Sequence, residues 1–208
     1  MAGQEKHYKS STGVEEFYYS PLDESGTGIT TKEPEEIDFA QTINIEMPQE
    51  AVRAYGDNKT AEIALSSGNI TVTSTFHKLP AEDKQVLLGL EVANGLTGIG
   101  STDNPPYVAC VFAKTHEDGS KEWVGLTKGL FMRPNINGQT KGESTSFSSE
   151  EISAQFMDRA VDGFTEEKSV VFARDKKGET TNRDALFQAV FGKPHPGATT
   201  TTTTTAAT

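Results

Sequence analysis

Hydrophobic and polar residues alternate along several short segments of the chain, and this alternation is its main structural signal. Apolar side chains occupy alternate positions between residues 37 and 45, interrupted only by Gln41, and residues 70–76 repeat the pattern with β-branched residues. A period of two is typical of a strand with one buried face. Residues 107–114 are almost continuously apolar, which predicts a strand covered on both faces. Further strands are predicted at 15–20, 123–132, 147–159 and 169–174, at least seven in all.

Turn residues indicate how these strands connect. Asp118-Gly119 tolerates the positive φ of a tight hairpin turn and joins the strands on either side of it. Asp162-Gly163 predicts a second reversal, so that residues 169–174 pair with residues 147–159. The expected fold class is therefore mainly β and antiparallel.

Two segments have helical features. Residues 79–89 contain Pro80 in the first turn, acidic residues beside it and a closing Gly89. Residues 181–192 place Leu186, Phe187, Val190 and Phe191 on one side and end at Gly192, with Thr181 or Asn182 as the expected cap. We expect one flanking helix in mid-chain and one amphipathic C-terminal helix whose apolar side must dock on another surface.

The remaining segments lack a strong period. Residues 1–16 are polar and predict an arm ordered by a neighbour, 22–36 a surface loop, and 49–60 a long exposed loop. The chain ends in a low-complexity run of threonines. We therefore divide it into an N-terminal arm and loop (1–36), a β domain (37–192) and a flexible Thr-rich tail (193–208).

Charge and composition narrow the functional classes. The 208 residues carry a formal net charge of −11, which disfavours binding to a phosphate backbone by counterion release. The single cysteine, Cys110, excludes an intrachain disulfide and fits synthesis in a cytoplasm. No apolar leader or bilayer-length segment is present, so neither export by a signal peptide nor a membrane location is expected.

No residue pattern predicts catalysis. The histidines at 7, 77, 116 and 195 fall in unrelated segments, and neither CxxC nor HxxxH spacing occurs, so no metal site is expected. Cys110 lies within the apolar strand, where a buried thiol is expected. Two GxG patterns lack the third glycine and helix of a dinucleotide site. We therefore predict no enzyme activity and no cofactor.

A series of short motifs occurs in a fixed order along residues 37–192. The motifs are Tyr55-Gly56-Asp57-Asn58, SGNITVT at 67–73, LPAE at 79–82, LLG at 87–89, DNPPYVA at 103–109, WV at 123–124, KGLF at 128–131, Pro134, TKGE at 140–143, the strand with Phe156, and Asp162-Gly163. No single motif is specific, but their order and spacing resemble the major tail protein family of siphophages that infect Gram-positive bacteria.

This resemblance implies a tail-tube subunit with an antiparallel β-sandwich or rolled barrel and flanking helices. Such subunits form hexameric rings that stack around a tape measure protein and meet distal tail and tail terminator proteins at the tube ends. The loop residues Tyr55, Gly56, Asp57 and Asn58 are then candidates for inter-ring contacts. The protein is expected in the virion after synthesis in the host cytoplasm.

The net negative charge would be useful in such a tube, because an acidic channel repels DNA phosphates and lets DNA pass without specific binding. The candidates for an acidic channel wall are Asp38, Glu46, Glu62, Glu143, Glu150 and Glu151. Two alternatives remain open at this stage. One is a β-sandwich module on a virion or cell surface that binds a carbohydrate or receptor, and the other is a tail terminator or connector.

Overall fold

A computed structural model of the protein describes residues 9–23, 32–56, 59–136, 138 and 148–198. Its architecture is mainly antiparallel β with two helices, as the alternation predicts. The strands are β1 (Ser11–Pro21), β2 (Glu35–Ile37), β3 (Ala40–Glu46), β4 (Gln49–Gly56), β5 (Lys59–Ser67), β6 (Ile70–Phe76), β7 (Glu91–Ala93), β8 (Leu96–Gly98), β9 (Val108–His116), β10 (Lys121–Phe131), β11 (Glu150–Met157) and β12 (Val170–Asp175). The helices are α1 (Ala81–Leu88) and α2 (Thr181–Phe191).

One eight-stranded sheet organises the molecule. Seven strands follow the order β2-β1-β9-β10-β11-β6-β3, and β12 pairs with β10 beside this path. The first half of β10 pairs with β12 and its last residues pair with β11. β10 therefore changes its pairing partner along its length, from β12 to β11.

Two hydrophobic clusters lie on opposite faces of the central strands. One cluster contains Phe17, Tyr19, Cys110, Phe112, Ile152 and Phe156 and includes α1 through Leu87 and Leu88. The other packs Tyr18, Val111 and Trp123 against Leu186, Phe187 and Val190 of α2. Residues 108–113 are completely buried because they contribute alternately to both clusters, which confirms the predicted doubly covered strand.

The N-terminal prediction needs correction. Residues 11–16, expected in an arm, belong to β1, which pairs along its whole length with β9. Only its second half is apolar and buried, so the first half gives no hydrophobic signal in the sequence. The predicted strand at 37–45 is likewise divided into β2 and β3 at Asp38 and Phe39, and Phe39 has a φ of 61°.

The exposed loop predicted at 49–60 is wrong. Gln49–Gly56 and Lys59–Ser67 pair as the two-stranded β4–β5 hairpin, from Gln49↔Ser67 to Gly56↔Lys59. The described side chains on both faces of this hairpin are exposed, so no strand periodicity appears in its hydrophobicity. The turn-rich connection predicted at 95–106 similarly contains β8, which pairs with β7.

Both predicted helices are confirmed, and each ends at a glycine in the left-handed conformation, Gly89 or Gly192. The start of α2 differs from the prediction. Asp175 of β12 accepts hydrogen bonds from the backbone N–H groups of Asn182 (3.0 Å) and Arg183 (2.8 Å), so the cap comes from a strand. At Gly125 a Cβ atom would lie 2.7 Å from Val190 Cγ2, so the absence of a side chain lets α2 approach β10.

Two further predictions are corrected at the C-terminal end. β12 pairs with β10 and not with β11. Arg159, which follows β11, forms an isolated bridge with Lys168, which precedes β12. Residues 193–198 were expected in a flexible tail, but His195 within them is buried among the rings of Tyr18, Trp123 and Phe187. The threonine run from residue 199 lies outside the described residues.

Candidate assembly and channel surfaces

The solvent-facing side of β11, β6 and β3 is a polar surface, which we call the threonine face. Residues directly opposite each other on antiparallel strands share a face, so the register defines it. Its three rows are Glu151–Thr75–Thr42, Ser153–Thr73–Asn44 and Gln155–Thr71–Glu46.

The alternation of β6 explains this face. Val72, Ser74 and Phe76 point into the core and are buried, whereas the three threonines between them stay half-buried. Threonine keeps the β-branched shape that suits a strand while presenting a hydroxyl group. The same segment thus supplies a core and a neutral, hydrogen-bonding exterior.

The threonine face has no basic residue. The sequences of β3, β6 and β11 contain neither lysine nor arginine, and the charges on the face are the carboxylates of Glu46 and Glu151. Those two residues belong to the first and last rows, with neutral hydroxyl and amide groups between them. A polyanion moving along this surface would meet repulsion or neutral groups, and no cation to hold it.

The edge of this sheet is open. β3 is the last strand of the path, and within the described ranges no strand pairs with its second edge. An unpaired edge offers backbone N–H and C=O groups to a strand from another chain. The fold therefore leaves the threonine face beside an edge that another subunit can extend.

The β4–β5 hairpin has two faces of different character. Its pairing places Ala51, Arg53, Ile63 and Leu65 on one side, where Ile63 is 57% exposed and Leu65 70%. The other side carries Glu50, Val52, Glu62, Ala64 and Ser66. Two-stranded hairpins are marginally stable in isolation. Contact with another chain would therefore stabilise this hairpin. The side that exposes Ile63 and Leu65, which we call the apolar side, is suited to such a contact.

The predicted inter-ring residues lie at the tip of this hairpin. Tyr55 and Gly56 are the last residues of β4, while Asp57 and Asn58 lie outside the described residues. The sequence predicted a turn-rich patch at these residues, and Tyr55 and Gly56 lie at its described border. It missed the paired strands, although the motif Tyr-Gly-Asp-Asn between two β-compatible segments was a usable signal.

The predicted channel residues do not form one group. Glu46 and Glu151 lie on the threonine face, Asp38 is exposed between β2 and β3, and Glu62 is exposed on the β4–β5 hairpin. Glu143 lies outside the described residues. The sequence analysis did not assign the threonines at 71, 73 and 75 to the channel wall. Their alternation with buried residues was the available signal.

Glu150 has a structural environment different from that of its neighbour Glu151. Its carboxylate lies 2.5 Å from Lys84 Nζ and 3.5 Å from Lys78 Nζ, and it accepts a hydrogen bond from the backbone N–H of Leu79 (3.3 Å). Burial raises the pKa of this carboxyl, but its bonds to Lys84 and Leu79 and the charge of Lys78 outweigh burial, so the pKa lies below its usual range. Glu150 therefore anchors the start of α1 to β11.

The rest of the described structure offers little catalytic chemistry. Cys110 is buried, and burial raises the pKa of its thiol. Among the described residues, no group of three His, Cys, Asp or Glu side chains could hold a metal ion.

A groove of about 480 Å³ lies between β12 and α2 and exposes Phe164 and Phe172, while Trp123 is buried. None of the described helices is long and apolar enough to cross a membrane.

Comparisons with known proteins were made on sequence and on structure. A family model described as phage tail tube protein matches residues 11–196. A comparison with curated protein sequences finds no match.

Solved structures of similar fold include the sheath–tube complex of an extracellular contractile injection system in its extended state. It has 10% identity and a TM-score of 0.45, and the match covers 75% of this chain and 86% of that one. The tube-terminating cap of the anti-feeding prophage has 9% identity and a TM-score of 0.44, with coverages of 84% and 99%. A chain of the anti-feeding prophage baseplate has 9% identity and a TM-score of 0.44, with coverages of 81% and 97%.

The family model extends from the start of β1 to beyond the end of α2, and so includes both helices and the whole of the main sheet. On this match, the chain belongs to the phage tail tube protein family and is a structural subunit of a phage tail tube.

Proposed function

We propose that copies of this subunit form hexameric rings that stack into a tube around a tape measure protein, with the threonine face lining the channel. The observation that carries the channel assignment is the absence of lysine and arginine from all three strands of this face. The open edge of β3 supports joining of neighbouring sheets within a ring.

The chemistry of the threonine face suits the passage of DNA. Lysine and arginine on a channel wall would replace condensed counterions on the phosphates, and the DNA would bind more tightly at lower salt. Hydroxyl and amide groups interact with hydrated DNA without that gain. Glu46 and Glu151 add repulsion, and Asp38 and Glu62 are proposed to extend it.

Two of the acidic candidates, Glu150 and Glu143, differ from the other four. Glu150 is held by Lys84 and Lys78, so we assign it to the docking of α1 and not to the channel wall. Glu143 stays a prediction from the sequence. The proposed wall charges among the described residues are therefore Asp38, Glu46, Glu62 and Glu151.

The β4–β5 hairpin is the proposed contact between copies. Its apolar side would be covered by a neighbouring subunit, and its tip at Tyr55, Gly56, Asp57 and Asn58 would reach an adjacent ring. Distal tail and tail terminator proteins are the proposed partners at the two ends of the tube. We further propose a non-enzymatic protein that is made in the host cytoplasm and incorporated into the virion. The siphophage type and the Gram-positive host stay predictions from the motifs.

Cysteine labelling tests the channel assignment, because the native Cys110 is buried and contributes little background. Thr73→Cys places a thiol at the centre of the threonine face, and Glu179→Cys places one at an exposed site before α2. In monomers, both variants are expected to react with a small maleimide and with a maleimide carrying a bulky polymer.

In tubes confirmed by negative-stain electron microscopy, the thiol introduced at residue 73 should react with the small reagent only. The thiol at residue 179 should still accept the bulky one. Reaction of the residue 73 thiol with the bulky reagent at its monomer rate would place the threonine face outside the tube. Loss of reaction with both reagents would place it in a subunit interface. Either result would contradict the channel assignment.

A further inference from the structure

Two consecutive tyrosines of β1 contact glutamates of β2 in equivalent ways on opposite sides of the sheet. Tyr18 and Tyr19 are paired in register with Glu36 and Glu35. Each phenol oxygen lies 2.9 Å from a carboxylate oxygen of its partner. Tyr18 packs towards α2, whereas Tyr19 is in the cluster that contains α1.

Among the described residues, Tyr19 has a second carboxylate hydrogen-bond partner and Tyr18 has none. Oδ1 of Asp83, in the first turn of α1, lies 2.6 Å from the same phenol oxygen. Asp83 is 9% exposed and Tyr19 is completely buried. The phenol group of Tyr19 therefore joins β1, β2 and α1 at one atom.

A phenol carries one proton and can donate it to one acceptor only. With both carboxyls ionised, one carboxylate would face the phenol oxygen with lone pairs on both sides, and the buried charge of Asp83 would be repelled by the nearby carboxylate of the exposed Glu35. With one carboxyl protonated, that group donates to the phenol oxygen while the phenol donates to the other carboxylate. Both short contacts are satisfied only in this second state.

The charged groups around Asp83 support a bound proton. It is faced by Tyr19 from β1, Glu35 from β2 and Glu82 from its own helix. The adjacent Lys84 is bonded to Glu150. Burial raises the pKa of the Asp83 carboxyl, the Tyr19 bond opposes this rise, and the charges of Glu35 and Glu82 add to it. Burial also raises the pKa of Tyr19, so the phenol keeps its proton.

We propose that Asp83, Tyr19 and Glu35 share one additional proton in a proton clamp, which fixes the first turn of α1 on the β1–β2 edge and loosens as the pH rises. The buried side chains of Leu87 and Leu88 keep the rest of the helix docked. The loosened turn lies between the threonine strand β6 and the β7–β8 hairpin, which exposes Val92 and Leu96. The proton clamp thus makes the docking of the first turn of α1 sensitive to pH.

The direction of the pH dependence follows from the raised pKa of the Asp83 carboxyl. A carboxyl whose folded-state pKa lies above its unfolded value contributes stability that is fully present below the unfolded pKa. This contribution is lost as the pH rises through the raised folded-state pKa. The clamp is therefore strongest in acidic solution, below the ordinary pKa of an aspartic acid, and weakens as the pH rises.

Hydrogen exchange of the peptide covering residues 79–90 tests the clamp in the full-length, unassembled protein. After correction for intrinsic exchange rates, we expect the protection of this peptide to fall as the pH is raised from 5 to 8. The steepest expected fall is about tenfold per pH unit, the slope for one released proton.

Two variants supply the missing donor permanently. In Glu35→Gln the new amide donates to the phenol oxygen, which leaves the Tyr19 proton for Asp83, and Asp83→Asn does the reverse. Both are expected to be protected equally at pH 5 and pH 8. Glu36→Gln is the matched control at the neighbouring register position and should keep the wild-type slope. A flat wild-type profile, or a wild-type slope that persists in Glu35→Gln or Asp83→Asn, would overturn the proposal.

Discussion

At the scale of single residues, Glu16 shows how a backbone irregularity can build a charged contact. A bulge between Glu15 and Tyr18 gives Glu16 a φ of 54°, and its carboxylate contacts Lys121 Nζ and lies 3.4 Å from His195 Nε2. The His195 imidazole is the largest cause that lowers the pKa of Glu16, burial opposes it, and Lys121 adds to it; the resulting pKa is about 2. This contact ties the C-terminal segment to β1.

The first prediction concerns Glu16→Gln. Because the folded-state pKa lies below the ordinary value of 4.5, the ionised carboxylate stabilises the fold above that pH and loses its effect as the pH falls towards 2. The variant should be about 1–2 kcal/mol less stable at pH 6 and closer to wild type at pH 3, after allowance for solvent screening. Urea unfolding at both pH values measures this.

Glu15→Gln is the control, since Glu15 also contacts Lys121 (3.2 Å) but its side chain is 54% exposed. Its effect at pH 6 should be small, as is usual for exposed ion pairs. An equal loss in both variants would show that the His195 contact contributes nothing specific.

At the scale of elements, α2 is positioned from both ends by groups distant in sequence. The Asp175 carboxylate accepts two N–H hydrogen bonds at its start, and Arg159 Nη2 donates to the carbonyl oxygen of Val190 (2.7 Å) near its end. Between them, Gly125 admits the helix close to β10. The helix is thus fixed by the strands that it covers.

The second prediction is that Asp175→Ala lowers the free energy of unfolding by about 1–2 kcal/mol, because two helix N–H groups lose their acceptor. Chemical denaturation of the monomer measures the loss. Glu179→Ala, at an exposed position in the preceding turn, should change it by less than about 0.5 kcal/mol. A loss of the same size in both variants would contradict capping by Asp175.

At the scale of the whole molecule, the surfaces divide into those that stabilise the subunit and those left for other copies. The two clusters account for the buried side chains of the main sheet and both helices. The β4–β5 hairpin forms its own two-stranded sheet, and none of its described side chains belongs to either cluster. Changes on the hairpin should therefore separate assembly from folding.

The third prediction is that the double variant Ile63→Asp and Leu65→Asp keeps the melting temperature of the monomer but abolishes tube formation, because charges replace an apolar contact. Thermal unfolding and sedimentation with electron microscopy measure the two properties. The control places the same charges on the opposite side as Ala64→Asp with Ser66→Asp, which should assemble. Tubes from the first variant would exclude the apolar side as the contact.

The sequence by itself determined the elements whose two sides differ in polarity. The alternation in residues 70–76 predicted β6, the continuous apolar run predicted β9, and the glycines after α1 and α2 marked their ends. Their ordered motifs also indicated the tail tube family. These features are local, because periodicity and capping depend on residues a few positions apart.

The tertiary structure alone decided which elements meet. β12 pairs with β10, Asp175 caps α2, His195 enters an aromatic cluster, and Asp83 reaches a tyrosine 64 positions away. The β4–β5 hairpin and the first half of β1 escaped prediction because a strand without a buried side leaves no alternation to read. Partner choice depends on the packing free energy of distant residues, which no local pattern contains.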